Sequence, residues 1–263
     1  MSVTRLDHPA RTRLEAGQVS LGVGLRNVRI VDAALMMKTA GMDWLFLDFE
    51  HTSLTLDTVA QLSMMANAVG ISPIVRVPLG ELDLASRALD CGAMGVVVPH
   101  VETAAEAELV VKRLRYAPIG ERGVSGTLPH FGFKAVELRA ATVELNRANL
   151  IAVMLETPQA LSQADAIAAV PGIDIVMLGT NDLAMAYDKP GEFGSAEVAA
   201  AYETLAAACA KHGKWVGSGG LSSAEHFERY LKTGARFILA GADTGFMMAG
   251  ARARTEQLRA ISL

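Results

Sequence analysis

The sequence predicts an α/β fold, a (β/α)8 TIM barrel, and three observations carry that prediction. Short β-rich runs alternate with longer segments rich in Ala, Leu, Glu and Arg, which is the pattern of βα units around a parallel sheet. Eight such runs fall within 263 residues, as the eight-stranded barrel requires. No Pro-, Ser- or Gly-rich linker divides the chain, so we expect residues 1–263 to form a single domain.

The elements are predicted from these runs in chain order. Three of the intervening segments have the composition of helices, at 54–70, 103–117 and 195–213, and Ser195 is the expected N-cap of the third. The longest connection, 116–133, joins the fourth and fifth strands, and a loop of that length is usually functional or mobile. The eight strands are predicted at 19–25, 43–50, 72–78, 95–101, 150–157, 173–180, 214–219 and 235–241.

Composition excludes several classes of protein. No run approaches the roughly 20 apolar residues of a membrane span, and residues 1–17 lack the apolar core of a secretory signal, so no membrane partner and a cytoplasmic location are expected. The net charge of −4 provides no basic field for nucleic acid, which favours a small-molecule ligand. Cys91 and Cys209 lie in Ala-rich surroundings and are predicted to be buried thiols rather than a disulfide.

Polar residues at the predicted strand ends are the candidates for chemistry, because the active site of such a barrel lies at the C-terminal ends of its strands. The second strand ends in Asp48, Glu50 and His51, although it is otherwise apolar enough to be buried. A buried charge must be paired, hydrogen-bonded or metal-bound. The other candidates are Arg76 on the third strand, Glu156 at the end of the fifth and Asp182 after the sixth.

Glu156 and Asp182 are candidate metal ligands. They follow consecutive strands, so their carboxylates are expected to meet across about 4.8 Å, one strand spacing. Two carboxylates with water suit Mg²⁺ or Mn²⁺ better than zinc. The alternative is purely structural: Glu156 forms a buried ion pair with Arg76, and Asp182 caps the helix that opens at Leu183.

His51 and Asp90 each allow a structural and a functional interpretation. A lone histidine after a strand is more often a hydrogen-bonded structural residue than a base, but the surroundings of His51 are acidic. Asp90 precedes the fourth strand, where it could cap a turn or orient His51. Arg76 keeps its charge and therefore needs an anionic partner, either a protein carboxylate or a substrate.

The positions of lysine and glycine bear on the mechanism. A Schiff-base aldolase needs a lysine inside the barrel, whereas all seven lysines fall in predicted helices, in loops or, for Lys214, at the start of the seventh strand. An enzyme of this sequence that makes an enolate would therefore need a metal to stabilise it. Glycine-rich turns at 217–223 and 240–247 suit phosphate binding, but tight strand-to-helix connections explain them equally well.

Five segments together resemble the HpcH/HpaI aldolase family, the metal-dependent (class II) 2-keto-3-deoxy acid aldolases. They are DWLFLDFEH, PIVRVP, LDCGAMGVVVPHVETAAEAELVVKRLRYAPIGERGVS, VMLETPQAL and GIDIVMLGTNDLA, and they keep their order and spacing from about Gly22 to Gly241. The resemblance implies a (β/α)8 barrel that forms or cleaves a carbon–carbon bond between a 2-oxo acid (pyruvate or hydroxypyruvate) and an aldehyde. It also implies a divalent metal (Mg²⁺, Mn²⁺ or Co²⁺) and a homo-hexamer assembled by exchange of a terminal helix.

The same resemblance assigns roles to the catalytic candidates. His51 matches the general base and Asp90 the acid that raises its basicity, while Arg76 matches the residue that stabilises the enolate. Glu156 and Asp182 match the metal ligands.

Four further residues are assigned by the resemblance to the substrate and to the surroundings of the metal. The backbone at Gly179 and Asn181 is expected to hold the carboxylate of the 2-oxo acid. Asp48 and Glu50 are expected to lie around metal-bound water as groups that do not bind the metal directly.

The chain departs from the family pattern at Met154. The family usually has glutamine two residues before the metal glutamate, in contact with substrate, and a thioether cannot replace the hydrogen bonds of an amide. We therefore expect Met154 to line the substrate site and to alter binding of the 2-oxo acid. The GTND sequence in place of the more frequent G-P-x-D is a milder change.

Two alternative functions are weighed against the aldolase. A citryl- or malyl-CoA-type lyase of the same superfamily would need a basic rim for the CoA phosphates, for which Arg122 is the obvious candidate beside Arg76. A barrel that binds a keto acid or sugar phosphate without turnover is the other alternative, because fold alone does not determine function. A binding module has no use for a base, which argues against the second.

Overall fold

The computed structural model describes residues 5–126 and 128–262, and its centre is a closed barrel of eight parallel strands. Each strand pairs with the next in the chain, and β1 pairs with β8 to close the barrel. The predicted α/β fold, a single (β/α)8 barrel, is confirmed. The strands are β1 Ser20–Leu25, β2 Trp44–Asp48, β3 Ser72–Arg76, β4 Gly95–Val98, β5 Leu150–Leu155, β6 Ile175–Gly179, β7 Trp215–Gly219 and β8 Ala235–Ala242.

Helices surround the barrel, and the three predicted ones are present. The Ser195 hydroxyl accepts a hydrogen bond from the Val198 N–H, as expected of an N-cap. A 3₁₀ turn, Pro129–Phe131, lies in the long connection after β4. In the described residues the α-helices are α1 Pro9–Glu15, α2 Asp32–Thr39, α3 Leu56–Val69, α4 Leu82–Asp90, α5 Ala104–Leu114, α6 Leu138–Ala148, α7 Pro158–Ser162, α8 Ala164–Ala168, α9 Thr180–Ala186, α10 Ala196–His212, α11 Ala224–Thr233 and α12 Asp243–Arg259.

Several strands are shorter at their C-terminal ends than the sequence predicts. The prediction carried the second strand to residue 50, but β2 stops at Asp48. There the Asp48 carboxylate accepts from the Glu50 and His51 N–H groups, so the next residues form a turn instead of a strand. In the fourth strand Pro99 has no N–H to donate to a neighbour, and β4 ends at Val98. At the end of β2 the Asp48 carboxylate thus accepts the hydrogen bonds that a neighbouring strand would otherwise accept.

The interior of the barrel is filled by large apolar side chains. The indole of Trp44 stacks on Phe237 with ring centroids 4.0 Å apart. Gly22 makes room for that indole, because a Cβ at Gly22 would stand 2.1 Å from a Trp44 ring atom. Ala10 and Leu14 of α1 belong to the same cluster. The N-terminal helix therefore packs against the end of the barrel opposite the mouth.

Helix α12 differs from the other long helices because its apolar side chains are exposed. Asp243 is its only buried residue, whereas Phe246, Met247, Met248 and Leu258 are between 44% and 57% exposed. No helix within the described residues is both long and apolar enough to cross a membrane. The two cysteines are free thiols, but only Cys209 is buried as predicted, since Cys91 is half-buried.

Candidate active site

A cavity of about 380 Å³ opens where the strands end, at the C-terminal mouth of the barrel. This is the position that the barrel fold assigns to an active site. It contains most of the residues predicted from the sequence. The lining consists of Gly24, Arg26, Phe46, His51, Arg76, Met154, Glu156, Gly179, Thr180, Asn181, Asp182, Gly219, Gly220, Leu221, Leu239, Gly241 and Ala242.

Arg76 is held at the mouth by Asp48, the last residue of β2, and by Glu50 in the turn that follows. Its Nε and Nη2 donate to the two oxygens of Asp48 at 2.9 and 2.6 Å, and Nη1 lies 3.0 Å from Glu50 Oε2. Burial alone would raise the pKa of Asp48, but hydrogen bonding and charge from Arg76 outweigh it and lower that pKa. Asp48 and Arg76 therefore stay ionised, and the fork–fork geometry fixes the guanidinium.

The predicted ion pair between Glu156 and Arg76 is wrong, because Arg76 pairs with Asp48 and Glu50 instead. Glu156 is 2% exposed, and its Oε2 accepts from the backbone N–H of His100 at 2.9 Å. Burial raises the pKa of Glu156 to about 7; the charges of Asp182 and Glu50 act in the same direction, and His100 opposes them. The carboxylate is thus buried without a guanidinium or ammonium partner.

His100 is a charged-site residue that sequence reasoning missed. Its imidazole lies between two acids, with Nδ1 at 3.1 Å from Glu156 Oε2 and Nε2 at 3.3 Å from Glu50 Oε1. Its φ of 54° is in the left-handed region that residues other than glycine rarely adopt. The sequence could have indicated His100, because it follows the apolar run of β4 closely, just as His51 follows that of β2.

Asp182 lines the same cavity as Glu156. The prediction that it caps a helix opening at Leu183 is wrong, because α9 starts at Thr180 and Asp182 lies within its first turn. Gly179 lets Glu156 approach the next strand: a Cβ there would stand 2.4 Å from Glu156 Oε1. Among the described residues, no group of three or more His, Cys, Asp or Glu is arranged to hold a metal. The assignment of Glu156 and Asp182 as metal ligands stays a prediction.

His51 lies at the rim of the cavity and is only loosely held. Its Nε2 is 3.7 Å from Glu50 Oε2, and its side chain is 54% exposed. Only its backbone N–H makes a close contact, donating to Asp48 at 3.3 Å. An imidazole so placed is free to exchange a proton with a molecule in the cavity.

Asp90 is not brought to this cavity within the chain. It is the last residue of α4, and because the helices run antiparallel to the strands, that end lies away from the mouth. Its carboxylate accepts from Arg122 at 2.5 Å, and the Arg122 side chain is fully buried. The predicted interaction with His51 does not occur within one chain, and the role of Asp90 stays a prediction.

The remaining predicted residues line the cavity. Met154 is 3% exposed and packs among the apolar side chains of the barrel interior. Gly179 and Asn181 lie on the wall formed by β6 and α9. Glycines of the two glycine-rich turns, Gly219 and Gly241 among them, complete the lining. In the described part of the chain no lysine reaches the cavity, in agreement with the sequence.

Fold and site together define a (β/α)8-barrel enzyme that acts on a small molecule at the strand ends. Comparison with known proteins then defines the family. The HpcH/HpaI aldolase/citrate lyase model matches residues 28–249. The chain belongs to this family, which confirms the resemblance found in the sequence, and it is a carbon–carbon lyase of the aldolase class.

Relatives cover almost the whole chain. The chain is 34% identical to the 4-hydroxy-4-methyl-2-oxoglutarate aldolase tasA of Hapsidospora irregularis, over 91% of this chain and 90% of that protein. It is 35% identical to a hydroxypyruvate/pyruvate aldolase of Pseudomonas aeruginosa, over 92% and 89%. Among solved structures, an HpcH/HpaI aldolase from Desulfitobacterium hafniense superposes with a TM-score of 0.90 at 27% identity, over 96% of this chain and 97% of that chain.

Proposed function

We propose that this protein is a divalent-metal-dependent aldolase that joins or separates a 2-oxo acid, pyruvate or hydroxypyruvate, and an aldehyde. The observation that carries the proposal is Glu156, a buried carboxylate whose pKa is raised to about 7 and which faces the same cavity as Asp182. Relatives named for 4-hydroxy-4-methyl-2-oxoglutarate and for hydroxypyruvate and pyruvate support the substrate class.

Glu156 and Asp182 fit a hard divalent cation. Mg²⁺ is commonly held by one or two carboxylates and completes its shell with substrate and water, and Mn²⁺ and Co²⁺ accept similar oxygen donors. A bound cation would also offset the free-energy cost of burying the unpaired Glu156 carboxylate. When bound, the ion would supply a Lewis acid for the carbonyl of the 2-oxo acid.

The remaining residues position the donor. The backbone at Gly179 and Asn181 holds the carboxylate of the 2-oxo acid, and Met154 contacts it from the barrel interior. Arg76 presents a fixed positive charge beside the carbonyl oxygen, where negative charge develops as the enolate forms. Because Asp48 and Glu50 already hold the guanidinium, little reorganisation accompanies that change of charge.

His51 moves the proton. In cleavage, Nε2 or Nδ1 takes the proton from the hydroxyl beside the breaking carbon–carbon bond, directly or through water. In synthesis the imidazolium returns it to the new alkoxide. The carboxylate of Glu50 lies beside this imidazole, with Oε2 at 3.7 Å from Nε2.

Neither alternative function gains support. The CoA-thioester lyase needed Arg122 as part of a basic rim, but Arg122 is buried against Asp90 and does not line the cavity at the barrel mouth. A barrel that binds without turnover is at odds with membership in a family of carbon–carbon lyases.

Assembly and location are proposed from the same features. We propose a homo-hexamer, supported by the apolar side chains of α12, of which Phe246, Met247, Met248 and Leu258 stay between 44% and 57% exposed within one chain. One domain over 1–263 and a cytoplasmic location stay predictions, and residues 1–4, 127 and 263 lie outside the described residues.

A substrate screen tests the proposal. Pyruvate and hydroxypyruvate are each incubated with a panel of aldehydes, with and without Mg²⁺, Mn²⁺ or Co²⁺, and products are followed by NMR. In parallel, the metal-loaded enzyme is tested for deuterium exchange into the methyl group of pyruvate in D2O. We expect exchange and aldol products only with metal. Absence of both with every metal contradicts the proposal.

A further inference from the structure

Three hydroxyl groups form a buried network behind one wall of the cavity. The Tyr202 hydroxyl, on α10, lies 2.7 Å from the Thr180 hydroxyl and 2.5 Å from the Ser218 hydroxyl of β7. Thr180 and Tyr202 are fully buried, and Ser218 is 1% exposed. A hydroxyl buried without a partner costs free energy, and here each one has a partner. The proposed aldol chemistry uses none of these three side chains.

Thr180 connects this network to the donor wall, which is the segment from Gly179 to Asn181 where β6 passes into α9. Successive strand residues point to opposite faces, so Thr180 continues the outward face of β6. Val176 and Leu178 precede it on that face and belong to the apolar layer shared with the helices. The Thr180 hydroxyl therefore points toward α10, while the residue also lines the cavity.

Tyr202 is suited to anchor this wall because its own position is fixed. Its ring stacks on that of Tyr230 of α11, with centroids 3.7 Å apart. Burial raises the pKa of Tyr202, so the phenol keeps its proton at neutral pH. A neutral phenol donates one hydrogen bond and accepts another, which allows it to serve Thr180 and Ser218 at the same time. The hydroxyl of Tyr202 thus joins α10 to both strands.

The start of α9 is a position where an anchor is useful. Its cap residue is Gly179, the most flexible residue type, and among the described residues no side chain bonds to that cap. Thr180 is the first residue of the helix, where the G-P-x-D pattern has proline. A proline ring fixes φ at about −65°, which suits the first position of a helix. Threonine lacks that constraint, and the hydrogen bond to Tyr202 supplies another.

We propose that Tyr202 is a positioning residue, which acts through Thr180 to hold the donor wall in the conformation that binds the carboxylate of the 2-oxo acid. This inference rests on the proposed aldolase function. Tyr202 lies outside the barrel and does not line the cavity. Its hydroxyl should therefore affect binding of the donor more than the chemical step.

The test compares two variants that each remove one hydroxyl from the same stacked pair. Tyr202→Phe keeps the ring and loses the contact with Thr180. Tyr230→Phe is the matched control, because the Tyr230 hydroxyl donates to the carbonyl of Phe193, which does not line the cavity. The measured quantities are KM and kcat for deuterium exchange into the methyl group of pyruvate at saturating Mn²⁺, together with the thermal midpoint. This exchange needs no aldehyde, so it reports on the donor alone.

We expect Tyr202→Phe to raise the KM for pyruvate about threefold to tenfold, the scale of one lost hydrogen bond, with a smaller change in kcat. Tyr230→Phe should lower the thermal midpoint to a similar extent but keep the wild-type KM. Thr180→Val removes the other partner and should reproduce the KM of Tyr202→Phe. The double variant should be no worse than either single one, because both remove the same contact.

A rescue variant separates positioning from general loss of stability. Thr180→Pro in the Tyr202→Phe background returns a ring that fixes the first residue of α9 by itself, so the KM should move back toward that of wild type. A merely structural role of Tyr202 gives no reason for such a recovery.

Two results overturn the inference while leaving the aldolase function intact. One is a wild-type KM in both Tyr202→Phe and Thr180→Val, and the other is an equal rise of KM in Tyr202→Phe and Tyr230→Phe. If Tyr202→Phe does not fold, Thr180→Val carries the test alone, and a wild-type KM for it has the same meaning. A wild type that exchanges no pyruvate protons with any metal overturns both proposals together.

Discussion

At the scale of single residues, the charges of the mouth fall into two groups. Asp48 and Arg76 neutralise each other within the chain, which explains how an apolar strand can end in an acid. In the part of the chain that the structure describes, Glu156 and Asp182 have no such guanidinium partner, and we propose that they bind a ligand. His51 is exposed at the rim and makes no strong side-chain contact, so its removal is expected to affect chemistry more than stability.

Replacement of His51 separates catalysis from folding. His51→Ala should lower kcat by roughly two to four orders of magnitude, the usual effect of losing a general acid–base, while the thermal midpoint stays close to that of wild type. His212→Ala, which removes a histidine paired with Asp165 away from the cavity, serves as control and should keep full kcat. A destabilised His51→Ala that retains full kcat would show that His51 is structural.

Met154 tests the main departure from the family pattern. Met154→Gln supplies an amide at the wall of the cavity, and one added neutral hydrogen bond is worth about 0.5 to 1.5 kcal/mol. We expect a KM for the 2-oxo acid several-fold lower, or a changed preference between pyruvate and hydroxypyruvate, with a smaller change in kcat. Steady-state kinetics on both donors measures this, and identical constants would mean that the side chain does not reach the donor.

The residues of the site were predictable, but not their pairings. Polar residues at strand ends gave Arg76, Glu156 and Asp182 because the barrel brings all strand ends to one mouth. Which acid faces Arg76 depends on side-chain directions across β2 and β3, where Asp48 and Arg76 are in register, and periodicity does not give that register. His100 was missed because its role depends on acids from two other strands.

At the scale of elements, the strand starts and the longer helices agree closely with the sequence. The predicted helix at 54–70 is α3, Leu56–Val69, and that at 195–213 is α10, Ala196–His212. The predicted C-terminal ends of the strands were too long. Hydrogen bonds to Asp48 end β2, and the missing N–H of Pro99 ends β4, and composition does not show either effect. The extent of α12 was not predicted, since its apolar residues stay largely exposed and mark no buried face along the helix.

Helix α12 is expected to hold the oligomer together. Met247→Glu places a charge where we expect an apolar contact with another subunit, so the proposed hexamer should dissociate into smaller species. Gln257→Glu adds the same charge at a position of the same helix that is already polar and should leave the assembly unchanged. Light scattering after size exclusion measures both, and an unaltered mass for Met247→Glu at micromolar concentration argues against this interface.

At the scale of the whole molecule, metal binding and stability are linked through Glu156. Its pKa in the fold is raised from 4.5 to about 7, so between these values the metal-free fold binds more protons than the unfolded chain. Stability contributed by the protonated group is therefore lost as pH rises through about 7. A cation that binds the Glu156 carboxylate should restore this lost stability at high pH, where protons no longer compete with the cation for the carboxylate.

This linkage predicts a specific pH profile. The thermal midpoint of EDTA-treated wild type should fall relative to that of Glu156→Gln between pH 5 and pH 8, because glutamine cannot ionise. Added Mn²⁺ should raise the wild-type midpoint more at pH 8 than at pH 5.5 and should have little effect on Glu156→Gln. Parallel profiles for the two proteins would mean that Glu156 does not titrate in this range.

The central claim is that Glu156 and Asp182 hold a divalent cation on which carbon–carbon bond chemistry depends. The most direct measurement is aldol product formation from pyruvate and an accepted aldehyde by enzyme dialysed against EDTA, before and after Mg²⁺, Mn²⁺ or Co²⁺ is returned. We predict that dialysis abolishes turnover, that a returned cation restores it, and that Asp182→Asn is not restored. Full turnover in EDTA, with borohydride trapping pyruvate on a lysine, would contradict the claim.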